Sequence, residues 1–132
     1  MVGFVVVSHS YNLAEELIKL ANEMNQYDFK IINGSYVEGK HFGSNPMEIK
    51  DSIKRAMTDK GVIIFTDLGS SILNTNIAIE FLQLDDEDIS NIKIANCPIV
   101  EGLIAAVSMN DKNATVSSIL EELKEIKNLN KE

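Results

Sequence analysis

The sequence predicts an α/β fold: an open, mostly parallel central sheet with helices on both faces. Four short apolar runs carry this expectation, Phe4–Val7, Phe29–Ile32, Val62–Thr66 and Ile92–Ala95. They are rich in Val and Ile and continuous rather than alternating, as strands buried on both faces are. Segments of helical period lie between them, and strands that alternate with helices argue for a parallel sheet. The length, 132 residues, suits one domain with one sizeable core. That core is expected over about residues 2–127, followed by a charged C-terminal tail.

The elements follow in order. After the first run, Leu13, Ala14, Leu17, Ile18, Ala21 and Met24 recur at the spacing of one helix face. Asn12 is the expected N-cap, with Glu15 three positions on. After the second run, Asn45 caps, Pro46 takes the first helical position and Glu48 the third, and Ile49, Ile53 and Met57 form the stripe. The third helix carries Leu73, Ile77, Phe81 and Leu84. After the fourth run, Pro98 opens a helix whose Val100, Leu103, Ile104 and Val107 are expected to face the core. A final helix uses Val116, Ile119, Leu120, Leu123 and Ile126. Right-handed crossovers then restrict the topology.

Composition removes several function classes. Twenty acidic against twelve basic residues give a net charge of −8, which repels a nucleic-acid backbone but suits a protein partner with a basic face. The one cysteine, Cys97, permits no intrachain disulfide and no cysteine metal cluster. Beside Pro98 it reads as a small packed residue. Val5–Val7 gives way to Ser8-His9 too soon for a signal peptide or membrane span, so a cytoplasmic protein is expected. No phosphate-binding G-x-x-x-x-G-K-[ST] loop and no G-x-G-x-x-G follows a strand, so no nucleotide cofactor is signalled.

Ligands of open α/β sheets bind beyond the carboxyl ends of the strands, where strand order reverses. Those ends are Ser8-His9-Ser10, the Asn33–Ser44 loop, Asp67-Leu68-Gly69-Ser70-Ser71 and Asn96-Cys97-Pro98. In a flavodoxin-like order, strands one and three are neighbours across that point, so His9 and Asp67 face each other. A carboxylate that holds one imidazole nitrogen leaves the other as a nucleophile. Gly69, Ser70 and Ser71 precede a helix and can offer N–H groups and hydroxyls to phosphoryl oxygens. Ser10, at the start of the first helix, belongs to a second such donor set. The same residues admit a plainer reading, in which His9 is a loop residue, Asp67 holds a turn and Gly-Ser-Ser is a cap.

Other candidates carry less. His41 sits in the Gly39–Ser44 loop, and a metal site pairing the two histidines with Asp67 lacks close ligand spacing. Asp85-Asp86-Glu87-Asp88 lacks the Gly and closing Glu of a calcium loop. No metal is expected.

Three segments carry a resemblance. Val7-Ser8-His9-Ser10 with Leu13-Ala14-Glu15, Phe65-Thr66-Asp67-Leu68-Gly69-Ser70-Ser71 with Asn74, and Val100-Glu101-Gly102-Leu103-Ile104-Ala105-Ala106 resemble motifs of the phosphotransferase subunit of PTS-dependent dihydroxyacetone kinases. That family has the mannose-type enzyme IIA fold. The resemblance implies a homodimer phosphorylated on His9 by HPr, with Asp67 as the carboxylate that partners the histidine. Attack through Nε2 with Asp67 bonded to Nδ1 is the expected arrangement, and the sequence leaves the phosphorylated nitrogen open. It further implies delivery to ADP on the nucleotide-binding subunit of dihydroxyacetone kinase. Where the family commonly has Gly-Thr-Ser after the second strand, this chain has Phe42-Gly43-Ser44. The alternatives are a sugar-transporter enzyme IIA serving a IIB partner, and a non-catalytic binding module. The Asp67–Ser70 segment lacks the tryptophan and double glycine of the transporter branch.

Overall fold

A computed structural model of the chain describes residues 1–35 and 44–127. In chain order its elements are β1 (Gly3–Val7), α1 (Tyr11–Asn22), β2 (Ile31–Asn33), α2 (Pro46–Ala56), β3 (Val62–Thr66), α3 (Gly69–Leu84), β4 (Ile92–Ala95), α4 (Ile99–Met109) and α5 (Val116–Lys127). The strands form one sheet in the order β2-β1-β3-β4, with every pairing parallel. β1 and β3 are the central pair and are buried along their whole length. This is the expected open α/β sheet, and chain order reverses between β1 and β3.

Alternate residues of the central strands feed two cores. Phe4, Val6, Ile63 and Phe65 pack under α1, α4 and α5, while Val5, Val7, Val62 and Ile64 pack under α2 and α3. Phe4 meets Phe65 and Phe29 edge-on, at centroid distances of 5.2 and 5.3 Å. Phe29 was expected inside the second strand; instead β2 starts at Ile31. The outer strands are less buried, and Lys93 on β4 is exposed. At the far end of β1, buried Asn110 accepts from the Val2 N–H at 3.0 Å and donates to the Val2 carbonyl at 2.8 Å.

Several helix expectations need correction. α1 is capped by Ser10 rather than Asn12: the Ser10 side chain accepts from the Leu13 N–H. Leu13 and Met24 are exposed, so the buried stripe is Ala14, Leu17 and Ala21. α2 begins as expected, with the Asn45 side chain accepting from Met47 and Glu48, but Met57 lies past its end and is exposed. α3 turns a different face inward, burying Ser71, Thr75, Ala78 and Leu82 while Leu73 and Leu84 are 62 % and 78 % exposed. On this face the Thr75 hydroxyl donates to the Ser71 carbonyl at 2.7 Å, and among the described residues no buried side-chain polar atom lacks a partner. In α4, Leu103 and Val107 are buried but Val100 is exposed. α5 packs as expected through Val116, Ile119 and Leu123. The acidic run after α3 is a turn with Asp86 at φ 62°, and Asp85 pairs with Lys50. The charged tail beyond residue 127 and His41 lie outside the described residues.

Candidate active site

The site lies where the central strands end. β1 runs into Ser8-His9-Ser10, β3 into Asp67-Leu68, and the helices α1 and α3 begin immediately after. The topology brings His9 and Asp67 together, but through other atoms than expected. Asp67 Oδ2 accepts from the main-chain N–H of His9 at 3.0 Å and from the Ser8 hydroxyl at 2.8 Å. Oδ1 accepts from the Leu68 N–H at 2.7 Å and the Ser71 hydroxyl at 3.0 Å. Two donors on each oxygen fill a carboxylate's lone-pair directions, so its hydrogen bonds go to the loop rather than to the imidazole. Burial pushes the Asp67 pKa upward, but the bonds from His9, Ser8, Leu68 and Ser71 outweigh it and hold it below the ordinary value.

The group beside the His9 ring is Ser70. Its hydroxyl oxygen stands 3.2 Å from both ring nitrogens. A hydroxyl has one proton, so Ser70 donates to a bare nitrogen in one arrangement and accepts from an N–H in another. Gly69 and Ser70 open α3, whose N-cap, Leu68, makes no side-chain cap bond. Among the described residues, the Gly69 and Ser70 N–H groups have no acceptor. A Cβ on Gly69 would meet nothing within 4 Å, so this turn opens to solvent.

The other two expected phosphoryl contacts are placed differently. Ser71 is fully buried, its hydroxyl is committed to Asp67, and its N–H returns to the Leu68 carbonyl at 3.0 Å. It therefore supports the carboxylate and does not face the cleft. The Ser10 oxygen accepts the Leu13 N–H as the cap of α1, and a phosphoryl oxygen would meet its O–H proton.

Sequence reasoning missed a second layer of residues. The Ser8 hydroxyl accepts from the Ser10 N–H at 3.0 Å while donating to Asp67. The Ser8 N–H donates to buried Ser35 at 2.9 Å. Asn74 on α3 donates to the Ser44 carbonyl and hydroxyl at 3.2 and 2.7 Å, anchoring the entry to α2. The available signal was the clustering of small polar residues directly after each strand.

Large apolar side chains surround this end of the sheet. Met47, Leu13, Leu68, Ile72, Leu73 and Val100, all at or near helix starts, are exposed. Leu13, Leu17, Leu20, Ile99 and Val100 line a groove of about 230 Å³ that reaches Ser8. Cys97 is half-buried, and burial followed by the Glu101 charge pushes its thiol up to about 11, so it is no nucleophile at neutral pH. Its sulfur occupies the space a side chain at position 102 would need: a Cβ on Gly102 would come within 2.2 Å of it. Among the described residues, no group of three or more His, Cys, Asp or Glu could hold a metal ion. None of the described helices is long and apolar enough to cross a membrane.

The fold and site together define a parallel α/β domain that presents the His9 imidazole at its switch point, against an open helix N-terminus. The chain belongs to the EIIA-man family, described as the PTS system fructose IIA component, whose model matches residues 3–120. It is 32 % identical over 123 residues to the phosphoryl donor subunit DhaM of PEP-dependent dihydroxyacetone kinase 2 from Listeria innocua, covering 93 % of this chain and 97 % of that one. A PTS-dependent dihydroxyacetone kinase phosphotransferase subunit from Lactococcus lactis is 29 % identical, with 94 % of each chain covered. The Escherichia coli phosphoryl donor subunit is 27 % identical, and there this chain spans 26 % of a longer protein. Among solved structures, a protein of unknown function, EF1359, superposes with a TM-score of 0.77 at 28 % identity over 100 % of this chain and 98 % of that one. The phosphotransferase EIIA component of Streptococcus agalactiae shares the fold, with a TM-score of 0.67 at 16 % identity over 96 % and 92 % of the two chains.

Proposed function

We propose that this chain is a phosphohistidine carrier, and that His9 receives a phosphoryl group from HPr and passes it to ADP on the nucleotide subunit of a dihydroxyacetone kinase. The observation that carries the reading is the His9 ring beside Ser70 at a helix start whose Gly69 and Ser70 N–H groups have no acceptor among the described residues. A bare ring nitrogen attacks phosphorus in line. The new P–N bond forms as the bond to the donor breaks, and that electron pair leaves with the donor. The N–H groups of Gly69 and Ser70 suit the equatorial oxygens of the transferring group, as helix N-termini suit anions generally. Ser70 holds the ring, and Asp67 sets the loop that carries it. The chemistry needs mostly positioning. The protein is left phosphorylated between partners, so it acts as a stoichiometric relay.

The acceptor rests on the relatives, which are phosphoryl donor subunits of dihydroxyacetone kinases. A sugar-transporter IIB acceptor is the second reading, favoured by the family's description as a fructose IIA component. The exposed apolar collar around His9 suits exchange with protein partners in either case. A single-domain homodimer in the cytoplasm belongs to the same proposal.

The test is phosphoryl transfer from labelled phosphoenolpyruvate through enzyme I and HPr. Acid-labile label on the wild type and none on His9→Ala is the expected result. Label that persists on His9→Ala would move the site, with His41 the next residue to examine. An unlabelled, folded wild type would overturn the carrier reading. Adding the kinase subunit with ADP, or a IIB domain, separates the two acceptors.

A further inference from the structure

The parallel ladder between β1 and β2 pairs Phe4 with Ile31, Val5 with Ile32 and Val6 with Asn33. It extends one step further, as the Gly34 N–H donates to the Val6 carbonyl at 2.8 Å. Continued, a parallel ladder would bring the Ser8 N–H to the Gly34 carbonyl. That bond is replaced. The Ser8 N–H donates to the Ser35 side-chain oxygen at 2.9 Å, and Ser35 is 3 % exposed. A side chain thus takes over the acceptor's place at the point where β1 turns into the His9 loop.

Ser35 is itself held. Its N–H donates to Asn33 Oδ1 at 3.0 Å, closing a local turn at the exit of β2. The amide nitrogen of the same asparagine donates to the Tyr11 carbonyl at 3.2 Å and to Glu15 Oε1 at 2.9 Å. Asn33 therefore ties the exit of β2 to the first turns of α1, while Ser35 ties it to Ser8. Both chain segments flanking His9 are fixed from this one strand end, on the side opposite Asp67.

We infer that Asn33 and Ser35 form a positioning pair, which sets the direction in which the β1 exit presents the His9 ring to Ser70 and to an incoming phosphoryl group. The inference rests on His9 being the phosphoryl-accepting residue. Neither residue reaches the ring. They act through the main chain of Ser8 and the start of α1. Small misplacements of a reacting group are costly when catalysis is mostly alignment.

The experiment compares wild type, Ser35→Ala, Ser35→Thr and Asn33→Asp. It measures single-turnover transfer from phospho-HPr, thermal unfolding, and the 15N shifts of the His9 imidazole in unphosphorylated protein. Ser35→Ala is expected to slow transfer on the order of tenfold at unchanged apparent affinity for phospho-HPr, and to shift the His9 ring resonances. Ser35→Thr, which keeps a hydroxyl oxygen, is expected to restore both. Asn33→Asp retains an acceptor for Ser35 but loses the two amide donations, and is expected to reproduce the slow transfer. Wild-type rate and wild-type ring shifts in folded Ser35→Ala and Asn33→Asp would overturn the proposal. So would a lowered melting temperature with an unaltered rate per folded molecule, which is what a purely structural role gives. If wild type takes no label, the carrier reading falls. The ring shifts then decide the positioning pair alone: moved in both variants and restored in Ser35→Thr supports it, unmoved overturns it.

Discussion

Asp67 Oδ2 accepts the main-chain N–H of His9 at 3.0 Å, so the carboxylate grips the loop that bears the imidazole. With Ser8 on the same oxygen, and Leu68 and Ser71 on the other, Asp67 joins the ends of the two central strands.

From this follows the first prediction. Asp67→Asn places an NH2 group against donors whichever way it turns, because each carboxylate oxygen accepts from two. The expected cost is roughly 2–3 kcal/mol, in the range for hydrogen bonds to a charged acceptor, together with slower transfer. Chemical unfolding and the transfer assay on one preparation check it. Full stability with slow transfer would mean Asp67 acts on the reaction alone.

Acid should reveal the same carboxylate. Its pKa in the folded protein lies below the ordinary 3.8, so the unfolded chain takes up the proton first. The stabilisation is fully present above that ordinary value and is lost as pH falls through the lower folded value. Urea unfolding across roughly pH 3 to 6 should therefore show the gap between wild type and Asp67→Asn narrowing only below about pH 4. A gap independent of pH would contradict this account of the charge.

Ser70 offers a cleaner separation of chemistry from folding. It is exposed, and the side-chain contacts it makes are to the two ring nitrogens of His9. Ser70→Ala should leave stability within about 0.5 kcal/mol and slow transfer several-fold, with altered imidazole shifts. An unaltered rate would take Ser70 out of the mechanism.

These relationships mark how far the sequence could be read. Val- and Ile-rich runs located β1 and β3 because central strands are buried on both faces, and such burial leaves little freedom in residue type. The run Ile92–Ala95 located β4 as well, although that strand is an edge whose Lys93 is exposed. α3 was misread because Ile72, Leu73, Ile77, Ile79, Phe81, Leu82 and Leu84 surround it on all sides. Its inward face was chosen by the room available for Ser71, Thr75 and Ala78, which no periodicity records. The meeting of His9 and Asp67 was legible because both follow adjacent parallel strands. Which atoms meet was not, since Ser8 and Asp67 stand 59 residues apart and that bond sets the direction of the loop.

Asn110 tests the fold without the site. Its side chain satisfies both main-chain groups of Val2, at the opposite end of β1 from His9. Asn110→Ala strands two polar groups in a buried place, at a cost of about 2–4 kcal/mol. Phosphorylation of the folded protein should be unchanged. A loss of labelling at wild-type stability would show that the two ends of β1 are coupled in a way the hydrogen bonds do not explain.

The last prediction concerns the turn from β4 into α4. A Cβ at Gly102 would sit 2.2 Å from the Cys97 sulfur and 3.3 Å from its Cβ, so the sulfur is the obstacle. Gly102→Ala should destabilise the protein by about 1–3 kcal/mol, the usual cost of overpacking. In a Cys97→Ala background the sulfur is gone and the new methyl group takes its space. There the same substitution should cost far less, partly because alanine is the better helix former. A double-mutant cycle of unfolding free energies measures the coupling directly, with at least about 1 kcal/mol expected. Additive effects would mean that Gly102 is required by the backbone of α4 and not by the thiol beside it.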